Sequence, residues 1–311
     1  MDYIWLALIS AFCGSMANML ARKIMKYCGN APEEYIPIHY SIITVMLLPF
    51  LPFFYKLELN YFSTFMLIMV YVIDLFANYF YLKSFEIQRV YKISILVSTA
   101  PLFSLLLYPF LGSAMNLNIT EYDFLGILIT ILGIIIINYK KKEQVDDMEG
   151  LQEETGFFRN IAEFWKDRIG SFKKKKMIYP LAAAALMGIS VYFMKYLFVS
   201  GTTNPYTYYT TRNMIFMLTF LFWMKPNFKE FLGNGENIKW LFFRGAFVIG
   251  QWLLLLYAIQ DGNPILSKAI ADTIPIFVVI LSFVIWKVKL RPRKIVGILI
   301  SLIGVSIITL L

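Results

Sequence analysis

Asp74, Lys195, Arg212, Lys268 and Asp272 are ionisable residues inside long apolar runs, where a charge costs about 2.5–3.5 kcal/mol on insertion scales. Each therefore needs a partner, water or a function. Asp74 has Asn78 and Tyr81 one and two turns further along the same helical face. That suits a carboxylate that takes a proton, a cation or a substrate amine; the plainer reading is an ion pair with Arg212 or Lys268. Arg212 is flanked by Thr211 and Asn213. Its guanidinium stays charged and offers a planar fork to a carboxylate or phosphate, which makes it a substrate contact. Against that stands an arginine reaching back over about two turns, roughly 10 Å, to the headgroups. Lys268 and Asp272 stand one turn apart just before Pro275, so they can neutralise each other or offer both signs to a substrate. Tyr40, Gln251 and Trp252 are further candidates for a cavity wall, or for hydrogen bonds between helices.

The elements that must hold these residues are membrane helices. The chain is 59% hydrophobic and 17% aromatic, with a mean hydropathy of +0.64, well above the roughly 45–50% apolar content of soluble domains. About 20 apolar residues cross a bilayer core, and the spacing predicts ten spans near 3–24, 36–55, 62–82, 91–111, 121–139, 178–199, 206–224, 238–260, 264–286 and 293–311. The first span lacks a basic leader and a small-residue cleavage site and reads as a retained helix. The expected fold is all-α and integral to the membrane, with ten transmembrane helices.

The spans repeat. Gly126-Ile127-Leu128-Ile129-Thr130-Ile131-Leu132-Gly133 recurs as Gly297-Ile298-Leu299-Ile300-Ser301-Leu302-Ile303-Gly304. Thr99-Ala100-Pro101-Leu102-Phe103 recurs as Thr273-Ile274-Pro275-Ile276-Phe277. Three segments follow: a first repeat over 1–139, a basic linker over 140–177, and a second repeat over 178–311. An odd number of spans per repeat places the second copy upside down relative to the first, giving two five-helix inverted-topology repeats. The charges agree. The connections after odd-numbered spans, with their flanks, carry 25 of the 29 Lys and Arg residues. Lys56 alone lies in an even connection, and Lys195, Arg212 and Lys268 lie within spans. By the positive-inside rule the odd connections are cytoplasmic and both termini face outward, in a multi-pass protein of the cell membrane.

The linker opens with Lys140-Lys141-Lys142 and closes with Lys173-Lys174-Lys175-Lys176. Between them Phe157, Phe158, Ile161, Phe164, Trp165, Ile169 and Phe172 recur at helical spacing. This suits an amphipathic helix and basic run over 157–176 lying on the anionic inner leaflet, or a solvated linker folded on the bundle.

Ten spans in two inverted halves, a proline in spans 4 and 9 preceded by a polar residue, and Gly-x-x-x-[Ser/Thr]-x-x-Gly ending each half resemble the drug/metabolite transporter superfamily, EamA type. The resemblance covers nearly the whole chain outside 140–177 and implies a transporter fold. Many members carry Gly-Glu just after spans 4 and 9; here those places read Leu111-Gly112-Ser113 and Trp286-Lys287-Val288.

Matched interruptions in the two halves of a transporter mark its substrate site. Pro101 and Pro275 remove a backbone donor and free carbonyls in the preceding turn, which makes each a hinge or substrate contact, or only a packing kink. The expected function is secondary active transport of small polar metabolites by alternating access. A carboxylate at one depth and cations at another favour zwitterions such as amino acids. Exchange of organic anions or phosphorylated metabolites is the alternative, followed by export of lipophilic cations. A proton or counter-substrate would drive it, since no GxxxxGK[ST] loop is present.

Other classes fit poorly. His39 is the sole histidine, and the doublets Glu33-Glu34 and Asp146-Asp147 lack metal-ligand spacing, so no enzyme, metal site or cofactor is expected. Histidine 39 itself reads as a proton relay or, more simply, a satisfied interfacial group. No TVGYG-type filter speaks for a channel. Cys13 and Cys28 form no CxxC. The net charge of +9 is accounted for by membrane orientation, so no nucleic-acid partner is expected.

Overall fold

A computed structural model describes residues 2–27, 32–87, 96–112, 117–138, 178–226, 235–286 and 292–310. The linker over 140–177, with its amphipathic helix, and Cys28 lie outside the described residues. The chain runs through α1 (Asp2–Tyr27), α2 (Pro32–Leu47, continued by a 3-10 turn and a last helical turn to Phe54), α3 (Tyr61–Ile87), α4 (Ala100–Leu111) and α5 (Glu121–Asn138). The second stretch holds α6 (Ile178–Val199), α7 (Pro205–Met224), α8 (Gly235–Asp261), α9 (Pro264–Ala271), α10 (Ile274–Trp286) and α11 (Pro292–Leu310). Among the described residues no β-strand forms; one isolated bridge joins Leu57 to Thr203.

Helices are forced here because a backbone in hydrocarbon must satisfy its own polar groups. Among the described residues seven segments are long and apolar enough to cross a membrane: Tyr3–Leu20, Tyr35–Phe54, Tyr61–Tyr81, Ile178–Val199, Ile238–Asp261, Pro264–Val284 and Pro292–Leu310. They fall on seven of the ten expected spans. Ala100–Leu111 is apolar but short, and Pro205–Met224 opens with a polar half that contains Arg212. Local chemistry sets the starts. Asn204 accepts from the Thr207 amide and Asn263 from the Ile265 amide, each followed by proline at the first helical position. Thr120 and Asp123 form a reciprocal capping box at α5, with bonds of 2.9 and 3.1 Å.

Lipid supplies no hydrophobic drive between helices, so close packing at small residues must do that work. α5 and α11 meet glycine to glycine. A Cβ on Gly126 would lie 2.8 Å from the Gly304 carbonyl oxygen, and one on Gly297 would lie 2.9 Å from that of Gly133. Residue 126 faces 304 and 133 faces 297, so these equivalent helices run antiparallel. The equivalent pair α2 and α7 does the same: the Tyr206 hydroxyl donates to the Leu47 carbonyl at 2.5 Å, while Phe216 and Phe220 pack on Tyr40. The remaining packing is also reciprocal. α1 lies against α8, α9 and α10, as α6 lies against α3 and α4.

The two proline interruptions share one geometry. Ser98 and Thr99 form a turn before α4, and Asp272 and Thr273 form one between α9 and α10. In each, the threonine amide bonds three residues back, Thr99 to Leu96 at 3.2 Å and Thr273 to Ile270 at 3.1 Å. Each threonine hydroxyl also donates to that same carbonyl, at 2.5 and 2.7 Å. Pro101 and Pro275 therefore sit in the first turn of a new half-helix, where a missing amide proton costs nothing.

Candidate functional site

Asp74 projects from the middle of α3 and is 3% exposed; Arg212 projects from α7 and is 2% exposed. They meet between the two repeated stretches, with Arg212 Nη1 donating to Asp74 Oδ2 at 3.1 Å. The Tyr208 hydroxyl, one turn before Arg212, donates to the same oxygen at 2.9 Å. Of the two partners open to Asp74 on sequence grounds, the fold selects Arg212. The guanidinium makes a single-pronged contact, and its Nε is buried without a partner. Above it lies the Trp252 ring of α8, 4.3 Å from the guanidinium carbon, with Tyr209 at 5.0 Å. Burial and these aromatic faces hold Arg212 inside the bundle and exclude the headgroup-reaching alternative.

Beside this pair is a small cavity between the two stretches, with room for about one water molecule. Asp74 and Asn78 from α3, Trp252 from α8 and Lys268 from α9 line it, with Met187, Ser190 and Met194 from α6 among the rest. Arg212 stands behind this wall, bonded to Asp74 and stacked on Trp252. Lys268 pairs with Asp272 one turn away, and Asp272 Oδ2 is buried without a partner. The Asn78 amide donates back to the Asp74 carbonyl at 2.7 Å, while its Oδ1 accepts from the Tyr40 hydroxyl at 3.1 Å. Asp74, Asn78, Lys268 and Trp252 thus share one cavity, Arg212 and Tyr40 are bonded to its wall, and Asp272 is joined through Lys268.

Gln251 does not share it. Its side chain lies on α1, where a Cβ on Gly14 would come within 2.8 Å of the amide carbon. Neighbouring residues of a helix point about 100° apart, so Trp252 faces the cavity and Gln251 cannot. Lys195 is also elsewhere: its ammonium donates to the carbonyls of Gln260 and Gly262 at 2.7 and 2.8 Å, clasping the α8–α9 connection. One ionisable residue escapes a count of charges by loop. Arg244, grouped there with the basic flank after span 7, is inside α8, with Nη1 2.7 Å from His39 Nδ1 of α2. The apolar setting Leu241-Phe242-Phe243-Arg244-Gly245-Ala246-Phe247 was the available signal.

No curated protein matches the chain. A solved crystal structure, described only as that of a protein, superimposes with a TM-score of 0.72 over 99% of this chain and 96% of that chain, at 11% identity; the likeness is one of fold. Residues 1–139 and 174–310 both match a single family of membrane transporters. The all-helical bundle, its two repeated stretches and these matches place the chain in the EamA-like transporter family, within the drug/metabolite transporter superfamily.

Proposed function

We propose that the chain is a secondary active transporter of small polar metabolites, zwitterions such as amino acids foremost, working by alternating access. The observation that carries the substrate class is one cavity wall bearing Asp74 from the first stretch and Lys268 from the second. A substrate ammonium fits the carboxylate and a substrate carboxylate fits the ammonium, with Arg212 behind the wall as a second anion contact. Each of these groups is paired in the closed state, so substrate exchanges with an internal partner instead of meeting a bare charge. A one-water cavity is the closed form of such a site; an amino acid requires the halves to part.

The antiparallel packing of α5 with α11, and of α2 with α7, supports inverted repeats. Equivalent helices related by an axis in the membrane plane run opposite ways, whereas an axis along the membrane normal would leave them parallel. On this reading the repeats are 1–139 and 178–311, crossing ten times, with Pro101 and Pro275 as matched hinges. The basic connections, including 140–177 with its lipid-facing run at 157–176, lie in the cytoplasm of a cell-membrane protein. A proton or a counter-substrate supplies the driving gradient.

The test is counterflow uptake by purified protein in liposomes, using radiolabelled amino acids, phosphorylated sugars, nucleotides and lipophilic cations. An amino acid should exchange in the wild type and fail to do so in folded Arg212→Ala. Full transport by that variant would remove Arg212 from the site, and movement of lipophilic cations alone would overturn the zwitterion assignment.

A further inference from the structure

We infer that Arg244 and His39 form a second anion-binding subsite, for a carboxylate or phosphate group, on the α2–α8 side of the bundle. The inference rests on the transporter reading for its place on the substrate route, with α8 entering from the side that the charges assign to the cytoplasm.

The central layer is electrically balanced: Arg212 has Asp74 and Lys268 has Asp272. Among the described residues Arg244 has no such anion. Among the described residues its partners are the His39 ring, at 2.7 and 3.1 Å from Nη1, and the face of Tyr35, 5.1 Å from the guanidinium carbon. Neither carries negative charge at neutral pH. Its Nε is buried and makes no hydrogen bond. A guanidinium inside a span is costly unless an anion accompanies it, and a carboxylate or phosphate can take its fork from the Nε edge.

The surroundings are built rather than incidental. His39 stacks on Tyr35, with ring centroids 5.7 Å apart and planes within 4°, so the ring that faces Arg244 is held in orientation. The subsite also connects with the central pair. His39 packs on Tyr40 at 5.4 Å, and the Tyr40 hydroxyl donates to Asn78, whose own amide is tied to Asp74. An anion leaving Arg212 therefore has a second cation within the same polar track, reached along α2.

The experiment uses full-length protein in lipid-free detergent and measures thermal shift on titration with inorganic phosphate, succinate, or short-chain phosphatidylglycerol. Wild type should be stabilised, Arg244→Gln should raise the apparent Kd at least tenfold, and Arg244→Lys should fall between the two, because lysine keeps the charge and loses the fork. Response to phosphate or succinate assigns the subsite to soluble anions; response to phosphatidylglycerol alone assigns it to a lipid headgroup. No shift in wild type, or equal affinity in Arg244→Gln, overturns the subsite. If Arg244→Gln does not fold, phenylglyoxal modification of the wild type is mapped with and without succinate and phosphatidylglycerol. Protection of Arg244 by either is expected; unchanged modification with both overturns the proposal. Loss of amino-acid counterflow with anion binding intact would refute the transport reading and leave this subsite standing.

Discussion

Removing Asp74 tests whether its pair with Arg212 is a coupled unit. Asp74→Leu strands a guanidinium that is 2% exposed, and breaking a buried pair in this way costs about 3–5 kcal/mol. It also removes the acceptor of the Tyr208 hydroxyl, leaving a buried donor unsatisfied at about 1–3 kcal/mol. The single variant should lose roughly 4–8 kcal/mol. With unfolding entropy near 2.1 cal/mol/K per residue over 311 residues, the midpoint should fall by roughly 6–12 °C. The double variant Asp74→Leu/Arg212→Met keeps only the Tyr208 penalty and should fall by roughly 2–5 °C, because replacing both ions with apolar groups is close to neutral. Thermal unfolding in detergent, followed by size-exclusion recovery, reads both. Transport should be lost in both, which separates stability from function. A double variant no more stable than the single would refute the coupling.

Pro275→Ala should slow counterflow turnover more than it weakens substrate binding, since the residue opens the half-helix after the Asp272–Thr273 turn; equal loss of both, or of neither, would count against a hinge. Gly133→Val should lower the unfolding midpoint by roughly 2–5 °C, from an overpacking cost of about 1–3 kcal/mol. A Cβ there would lie 2.5 Å from the Ser301 amide nitrogen and 2.6 Å from the Gly297 oxygen, both backbone atoms that cannot rotate away. An unchanged midpoint would mean that α5 and α11 are free to separate.

Much of the fold was legible because membrane helices leave strong marks. Apolar runs give spans, and recurrence of the Gly-x-x-x-[Ser/Thr]-x-x-Gly motif marks α5 and α11 as counterparts. The matched Thr-x-Pro segments likewise located both helix breaks. What sequence could not decide was partnership. Asp74 had two cations in reach of the argument, and only the docking of α3 against α7 selects Arg212 over Lys268. Gln251 and Trp252 were inseparable as neighbours until the rotation of α8 was fixed by its contact with Gly14 of α1. Lys195 resembled a site cation, yet its nearest acceptors are the carbonyls of a turn that sequence does not fold. Arg244 was hidden for another reason: tallying basic residues by connection absorbs an arginine that, like this one, lies less than three turns from the start of its helix.

On the alternating-access reading proposed above, the placement of the central charges also bears on how substrate and motion are coupled. Asp74 belongs to the first stretch and Arg212 to the second, so any rocking of one half against the other pulls on this pair. Lys268 and Asp272 both lie at the α9 break, so the same motion leaves their pair intact. Parting the halves without substrate strands Asp74 and Arg212 until water reaches them, at a cost of about 3–5 kcal/mol. A zwitterion that places its ammonium on Asp74 and shares its carboxylate between Lys268 and Arg212 removes that cost, and a substrate with one charge removes only half of it. At about 1.4 kcal/mol per tenfold, the difference spans at least one order of magnitude in opening rate. Stripping either charge from a transported amino acid should therefore reduce its exchange rate by at least tenfold at saturating concentration, and an equal rate for the stripped analogue would break the link between the ion pair and the conformational cycle.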